Sequence, residues 1–345
     1  MRTAVLICPG RGTYTKAELG YLARHFPDPA LLARFDARRM ALGQETLGEL
    51  DRAPAYSVAR HTRGDNASAL IYACTLGDRL ALRDVELVAV TGNSMGWYSA
   101  LACAGALSPT AGFEVVNTMG RLMQESLIGG QLIYPFMDED WADRPDRRAG
   151  LLAQVAEIAA RPGHALALSI DLGGMLVLGG NDAGLAAFEA AVPPVQGRFP
   201  SRLPNHAAFH TALQAPVAEA GRALLPDTLF GQPDLPLIDG RGSVWWPGAS
   251  HRAALCAYTL GHQVTAPYDF TAAIRTAARE FAPDHFIVAG PGTTLGGAVI
   301  QSLILSRWRG MASRADFQAR QEARPLVVSM GLAEQRKAVT GSDRT

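Results

Sequence analysis

The stretch VAVTGNSMGWYSALACAG, residues 88–105, places a glycine-flanked serine between an apolar strand and an alanine-rich helix. Ser94 is the centre of a G-x-S-x-G pattern, in which a sharp strand-to-helix turn exposes the hydroxyl and leaves backbone amides free at the start of the helix. The same pattern also fits a purely structural turn. Its position directly after the strand 85–91 favours a nucleophilic serine.

Strands alternate with helices on both sides of this turn. Apolar runs predict buried strands at 3–8, 85–91 and 286–292, whereas three- and four-residue spacing of apolar positions predicts helices over 17–26 and 66–82. Such alternation is typical of a parallel sheet that is covered on both faces. We therefore predict an α/β fold in which the sheet holds the serine turn at one edge.

The order of predicted strands and helices changes between about residues 130 and 200. This segment contains QLIYPFM, the helical RRAGLLAQVAEIAA, the strand-like ALALSID and GMLVLGG, the helical DAGLAAFEAAV and a last strand near GRFPSRL. That order is β-α-β-β-α-β, the pattern of a ferredoxin-like unit. We predict a large α/β-hydrolase-like subdomain from residues 1–128 and 203–324, an inserted small ferredoxin-like subdomain from 129–202, and a flexible tail from 325–345.

The composition excludes several classes of partner. Among 345 residues, 32 Lys and Arg balance 32 Asp and Glu, so no overall charge attracts nucleic acid or an anionic membrane. The first apolar run is too short for a signal peptide or a membrane span. The cysteines are far apart and lack metal-ligand spacing, which predicts no metal site and buried thiols in a cytoplasmic protein: Cys8, Cys74, Cys103 and Cys256.

A nucleophilic serine needs a base, and histidine is the usual one. In LPNHAAFHTAL, His206 and His210 lie where the small lobe rejoins the large one, and a cleft between lobes is where sites form. The residues alone leave the choice between these two histidines open. The remaining histidines occupy helical, loop or turn contexts: His25, His61, His164, His251, His262 and His285.

Six segments, from the first strand to about residue 305, resemble known sequence motifs. CPGRGTY (8–14) resembles FPGQGSQ, and GNSMGWYSALACAG (92–105) resembles GHSLGEYSALVCAG. Further along the chain, MGRLMQ (119–124) is similar to RGKFMQ and AAFHT (207–211) to HAFHS. QVTAPYDF (263–270) and GPGTTL (290–295) are similar to QLYNPVQW and GPGKVL. In this order the six motifs are those of the malonyl-CoA:acyl carrier protein transacylases and of polyketide synthase acyltransferase domains, which the chain therefore resembles.

The resemblance implies a role for each matching residue. Ser94 would be the nucleophile and His210 its general base, with the imidazole oriented by the backbone carbonyl of Gln263. The backbone N–H groups of Met95 and Arg11 would form an oxyanion hole. No cofactor is implied beyond the acyl-CoA that donates and the phosphopantetheine of the acyl carrier protein that accepts.

One departure from the family concerns the acyl group. Members that carry malonyl hold its carboxylate with an arginine, and the matching residue here is Met119. Breaking a buried ion pair costs about 3–5 kcal/mol, so Met119 predicts an uncharged acyl group. Arg121 lies about 200° further round the helix and faces elsewhere. Arg11, which replaces a glutamine of the first motif, is the alternative anchor if its side chain enters the cleft.

Three further positions complete the predicted substrate-binding set together with Met119. Asn93 and Trp97 replace a histidine and a glutamate of the family and are expected to change the polarity around the serine. Asn66, near the start of the 66–82 helix, is the third position.

The sequence thus predicts a monomeric acyltransferase, with an acyl hydrolase that clears carrier proteins as the alternative that uses the same acyl-serine. A different class, an esterase with a Ser-Asp-His triad, would use Asp239 and His285. A non-catalytic module that only holds a carrier protein is the third class. Docking of an acidic carrier is expected on a basic patch that includes Arg121, Arg198 and Arg202.

Overall fold

A computed structural model of the chain describes residues 1–341. Residues 342–345 of the predicted flexible tail lie outside the described residues. The strands are β1 Arg2–Cys8, β2 Val85–Gly92, β3 Gly130–Pro135, β4 Leu166–Leu172, β5 Met175–Gly180, β6 Ser201–Arg202, β7 Leu237–Ile238, β8 Val244–Trp245, β9 Tyr268–Asp269, β10 His285–Val288 and β11 Val327–Ser329.

Helices connect these strands and cover both sheets. They are α1 Tyr21–His25, α2 Pro29–Ala41, α3 Leu47–Asp51, α4 Val58–His61, α5 Gly64–Ala81, α6 Gly96–Cys103, α7 Pro109–Glu125, α8 Pro145–Ala159, α9 Asp182–Ala191, α10 Ala215–Leu224, α11 Arg252–Ala257, α12 Gln263–Thr265, α13 Phe270–Phe281, α14 Leu295–Leu305, α15 Arg314–Ala323 and α16 Ala333–Thr340. Among the described residues, none of these helices combines the length and the apolar character that a bilayer crossing requires.

The main sheet has the order β11-β10-β1-β2-β7-β8. All neighbouring strands pair in parallel except β7 and β8, which form an antiparallel pair. The central strand β1 carries the run Ala4–Cys8, which is fully buried, because helices cover both faces of a parallel sheet. The α/β class and the parallel sheet predicted from the sequence are confirmed.

A second sheet is built mainly from the middle of the chain, in the order β6-β3-β5-β4-β9. The first four strands are antiparallel neighbours, and α8 and α9 follow β3 and β5 in the β-α-β-β-α-β order of elements. The fifth strand, β9, comes from residues 268–269 and pairs in parallel with β4. The small sheet is therefore not made of residues 129–202 alone, because the chain returns much later to complete its edge.

The predicted flexible tail is wrong for residues 325–341. Strand β11 pairs in parallel with β10 at the edge of the main sheet. In α16, Arg336 donates to Asp78 of α5 at 2.5 Å and to the hydroxyl of Tyr21 at 3.0 Å, and both partners are buried. Asp78 also accepts from the backbone N–H of Gly290 at 2.6 Å. A buried ion pair thus fixes the C-terminal helix to the main subdomain.

Candidate active site

The serine turn follows β2 at the carboxyl edge of the main sheet. Ser94 has a left-handed backbone with φ of 55°, which costs a non-glycine residue about 1–2 kcal/mol and persists only where the surroundings fix it. Gly96 begins α6 so close to β1 that any Cβ there would overlap the carbonyl oxygen of Cys8. A Cβ at Gly92 would overlap the backbone of Gly96. The two glycines of the motif are therefore required by close packing around the turn.

His210 lies at the junction of the two sheets and faces this serine. Its Nε2 is 2.7 Å from Oγ of Ser94, and its Nδ1 is 2.6 Å from the backbone carbonyl oxygen of Gln263. A carbonyl oxygen only accepts, so Nδ1 carries the proton and Nε2 is free to accept the proton of the serine. The geometry brings together the serine, the base and the orienting carbonyl that the resemblance implies.

Gln263 holds both members of this pair. Its backbone carbonyl accepts from His210, while its side-chain Nε2 donates to the backbone carbonyl of Ser94 at 3.0 Å. The hydroxyl of Tyr98 donates to Oε1 of Gln263 at 3.1 Å, and the hydroxyl of Tyr268 donates to the carbonyl of Gly92 at 2.6 Å. The side-chain role of Gln263 and the anchoring by Tyr268 were not predicted, because neither bond leaves a signal in the sequence.

Burial sets the protonation state of the imidazole. It lowers the pKa of His210 from 6.5 to about 4, and the hydrogen bond with the Gln263 carbonyl opposes this shift only in part. His210 is 3% exposed, so the charged imidazolium is poorly solvated. The imidazole is consequently neutral near pH 7, which is the form that accepts a proton.

Two backbone N–H groups are available beside the serine. Within the described part of the chain, the N–H of Met95 and the N–H of Arg11 have no hydrogen-bond acceptor. The loop that carries Arg11 lies against the turn, because Asn93 N–H donates to the carbonyl of Cys8 at 3.0 Å and a Cβ on Gly10 would press on Asn93. Free amides at this place suit a negatively charged oxygen.

A narrow pocket opens at the serine and the histidine. The lining is otherwise mainly apolar, and it consists of Arg11, Ser94, Met95, Tyr98, Met123, Phe209, His210, Gln263 and Val264.

The side chain of Arg11 enters this pocket. Its Nη2 donates to the backbone carbonyls of Thr62 at 2.8 Å and Asn205 at 2.9 Å, and its guanidinium lies 5.4 Å from the ring centroid of Phe209. Its Nε and Nη1 are buried and have no partner among the described residues. Burial lowers the pKa of Arg11 to about 10, so the guanidinium remains charged near pH 7. The pocket wall therefore contains a charged arginine, and two of its buried donors have no partner among the described residues.

The four predicted substrate-binding residues are not in the lining. Met119 is fully buried, with its sulfur against the place where a Cβ of Gly221 in α10 would lie. Asn66 accepts from Arg39 at 2.6 Å, and Trp97 Nε1 donates to Thr259 at 2.9 Å. Asn93 is buried beneath the turn. Contacts outside the pocket thus hold Met119, Asn66 and Trp97, and none of the four residues lines it.

Met123, which the prediction missed, lines the pocket in place of Met119. The two methionines lie one turn apart on the same face of α7, so helical spacing identifies their face but not which of them reaches the cleft. The contact of Met119 with α10 decides between them, and no motif records that contact.

The predicted basic patch is largely neutralised. Arg121 pairs with Glu125 at 2.9 Å, and Arg202 pairs with Glu189 at 2.7 Å. Arg198 lies over the ring of Phe199 at 4.7 Å from its centroid. Of the three arginines, Arg198 keeps a charge that no carboxylate pairs with among the described residues.

The esterase triad does not form. His285 begins β10, at the edge of the parallel sheet opposite to Ser94, and its Nδ1 is 2.9 Å from the carbonyl oxygen of Pro325. Asp239 pairs with Arg241 at 2.5 Å. Neither residue contacts Ser94 or His210.

The site combines a serine on a strand-to-helix turn, a neutral imidazole at hydrogen-bond distance and free amides beside the serine. This arrangement is suited to nucleophilic acyl transfer. The curated relatives of the chain are malonyl-CoA:acyl carrier protein transacylases, an acyltransferase enzyme family, and the predicted resemblance is confirmed. That of Salmonella typhimurium is 22% identical over 302 residues, which are 86% of this chain and 92% of the relative.

Solved structures show the same fold. The malonyl-CoA:ACP transacylase of Synechocystis sp. PCC 6803 superposes with a TM-score of 0.72 at 18% identity, over 98% of this chain and 100% of that one. A type II polyketide synthase malonyl-transacylase, solved in complex with its acyl carrier protein, gives 0.71 at 19% identity, over 99% and 100% of the two chains. No family model matches the chain.

Proposed function

We propose that the protein transfers an acyl group from a CoA thioester to the phosphopantetheine thiol of an acyl carrier protein through an acyl-Ser94 ester. The observation that carries this proposal is the 2.7 Å contact between Oγ of Ser94 and Nε2 of His210. As Oγ attacks the thioester carbon, His210 accepts its proton. The C–S bond then breaks, and His210 returns the proton to the departing thiol.

The second half of the reaction reverses these steps. The carrier thiol gives its proton to His210 and attacks the ester carbon, and Oγ leaves and regains the proton. In both halves, negative charge develops on the carbonyl oxygen. The N–H groups of Met95 and Arg11 are the donors for that oxygen, and one such donor contributes about 3–4 kcal/mol to transition-state stabilisation.

Two residues make opposite predictions about the acyl group. Met119, in place of the family's arginine, predicts an uncharged group, whereas Arg11 predicts one that carries a carboxylate. Met119 lies outside the lining, whereas Arg11 belongs to it and has two buried donors without a partner among the described residues. Asp65 is the acidic residue whose charge raises the pKa of Arg11, and it is itself paired with Arg63 at 3.1 Å. We favour a short acyl group with a free carboxylate, such as malonyl, which the names of the relatives also support.

The test measures how much acyl-Ser94 forms with malonyl-CoA and with acetyl-CoA, by intact mass and in single-turnover reactions. Ser94→Ala and His210→Ala are expected to abolish the acyl-enzyme with both donors. Adding carrier protein is expected to move the acyl group to its thiol. Release of free acid at the same rate without carrier would instead identify an acyl hydrolase.

Arg11→Gln separates the two acyl classes. Loss of a charged hydrogen bond of about 1.5–3 kcal/mol predicts a fall of about 10- to 150-fold in malonyl loading, with acetyl loading much less affected. Arg121→Gln, the same change on an exposed arginine, is the matched control. Equal losses for both donors would show that Arg11 only bridges the walls of the cleft, and preferential acetyl loading by the unaltered protein would favour the uncharged acyl group.

A further inference from the structure

A buried chain of hydrogen bonds crosses the small sheet and ends beside His210. Nε2 of Gln131 donates to Oγ of Ser169 at 2.6 Å, and that hydroxyl donates to the carbonyl of Phe209 at 2.7 Å. Oε1 of Gln131 is 2.8 Å from Nδ1 of His206. An amide oxygen only accepts, so Nδ1 of His206 is the donor to Gln131. Each group in the series therefore donates to the next, from His206 to the carbonyl of Phe209. The reaction proposed above uses none of these three side chains.

An irregularity in strand β4 places Ser169 in this series of hydrogen bonds. The pairing of β4 with β5 shifts register between Leu168 and Ile170, so Ser169 occupies an irregularity of the ladder. Bulges of this kind redirect a side chain and recur beside active sites. Ser169 is fully buried, and Gln131 is 2% exposed. A polar pair at such depth is retained only where its hydrogen bonds are satisfied, as they are here.

Both ends of the peptide unit between Phe209 and His210 are held. The carbonyl of Phe209 accepts from Ser169, and the N–H of His210 donates to the carbonyl of Val264 at 3.1 Å. His210 has φ of 56°, a left-handed conformation that a non-glycine residue keeps only where its neighbours over-determine it. The orientation of this peptide plane limits where the imidazole points.

We propose that Ser169, oriented by Gln131 and His206, is a positioning residue that fixes the Phe209–His210 peptide and so aims the imidazole of His210 at Ser94. The small lobe thereby supplies the alignment of the base, and the main sheet supplies the nucleophile. This inference rests on the proposed function, in which His210 is the general base.

The test compares Ser169→Ala with the unaltered protein in single-turnover acylation of Ser94. We expect the maximal rate to fall about tenfold and KM to change less than about twofold, because substrate contacts remain while the base is misaligned. Among the described residues, Arg11 and Tyr98 line the same pocket as the imidazole, and the ring of Tyr268 lies 5.4 Å from it. His206 is at the far end of the hydrogen-bond chain, and the substitution leaves all four groups in place. A relaxed turn exposes the imidazole to water, so the acid limb of the pH–rate profile should move upward toward 6.5.

Three further variants keep the result interpretable. Ser169→Thr retains the hydroxyl and is expected to recover most of the rate. Gln131→Leu leaves Ser169 but removes the donor that orients it, so a smaller loss with the same pH shift is expected, and it carries the test if Ser169→Ala fails to fold. Ser302→Ala is the control, because it removes an equally buried hydroxyl whose one partner among the described residues is the carbonyl of Ala298 in its own helix, at 2.7 Å.

The inference is overturned if Ser169→Ala leaves the rate and the pH profile unchanged, or if it behaves like Ser302→Ala. Failure of the proposed function gives a different result, since the unaltered protein would then form no acyl-Ser94 or His210→Ala would retain it. Normal acylation that is lost in His210→Ala but unaffected in both Ser169→Ala and Gln131→Leu refutes the positioning role alone.

Discussion

At the scale of single residues, His210 combines a strained backbone with a buried ring. Its position between Ser94 and the carbonyl of Gln263 fixes the tautomer, and burial keeps the ring neutral. A carboxylate in place of that carbonyl would favour the imidazolium. The site therefore uses a neutral orienting group, which suits a base that must give its proton back within the same reaction.

The lowered pKa of His210 predicts the pH dependence of acylation. A base is active when deprotonated, so kcat/KM for Ser94 acylation should remain nearly constant from about pH 8 to about pH 5 and fall as the pH drops through the folded-state pKa of about 4. Single-turnover rates across this range check the prediction, with the acyl-CoA that loads fastest. An acid limb centred near 6.5 would contradict it.

Much of the reacting centre could be predicted from the sequence, and the substrate pocket could not. The turn around Ser94 requires small residues at fixed spacing, and this requirement is visible in the chain as a pattern. His210 belonged to a pair of candidates until the family motif separated it from His206. Whether Arg11 or Met119 enters the cleft depends on contacts with Asn205 and Gly221, which are far away in sequence.

At the scale of secondary-structure elements, the approach of α6 to β1 is a tight constraint on the site. Gly96 is the contact residue, since its place beside the carbonyl of Cys8 admits no side chain. The backbone of β1 continues directly into the loop that carries the N–H of Arg11. The position of Ser94 and that of the free N–H of Arg11 are therefore set by the same contact.

Gly96→Ala is expected to disable the protein through this contact. The added methyl must push α6 away from β1, so acyl-Ser94 formation should fall at least about a hundredfold and the free energy of unfolding by about 1–3 kcal/mol. The control is Gly150→Ala in α8, where a Cβ has open space and the change should be neutral or stabilising. Normal acylation by Gly96→Ala, measured by intact mass, would contradict the close-packing argument.

Element prediction succeeded where a segment was long enough to show a period. Strand β2 and helix α5 follow their apolar patterns closely, whereas β6, β7, β8 and β9 have two residues each and carry no periodic signal. Strand β11 was assigned to a tail because it is three residues long and its surroundings are polar. Such short strands are defined by the neighbour with which they pair.

At the scale of the whole molecule, the C-terminal segment forms one edge of the main sheet. It is held in place by the buried ion pair between Arg336 and Asp78. Arg336 bonds to Asp78, which in turn holds the backbone of Gly290. A Cβ at Gly292 would overlap the carbonyl of Thr13, so this glycine loop packs directly against the loop of Arg11. The end of the chain thus supports the first loop of the site.

Arg336→Met should destabilise the whole fold. Removing one partner leaves Asp78 buried without its cation, which typically costs about 3–5 kcal/mol. Lys337→Met is the matched control, because its pair with Glu334 is exposed and its loss should cost less than about 1 kcal/mol. Urea unfolding measures both, and similar small shifts for the two variants would show that the buried pair contributes little.

The late return of the chain to the small sheet governs how the protein can be divided. Because residues 268–269 form β9 beside β4, a fragment of residues 129–202 would present the edge of β4 with its N–H and C=O groups unpaired. Open edges of this kind recruit strands from other molecules. A chimera that exchanges the small lobe between relatives must therefore include the β9 segment of the same protein. Otherwise, the β9 segment of the recipient must be able to pair with the β4 strand of the donor.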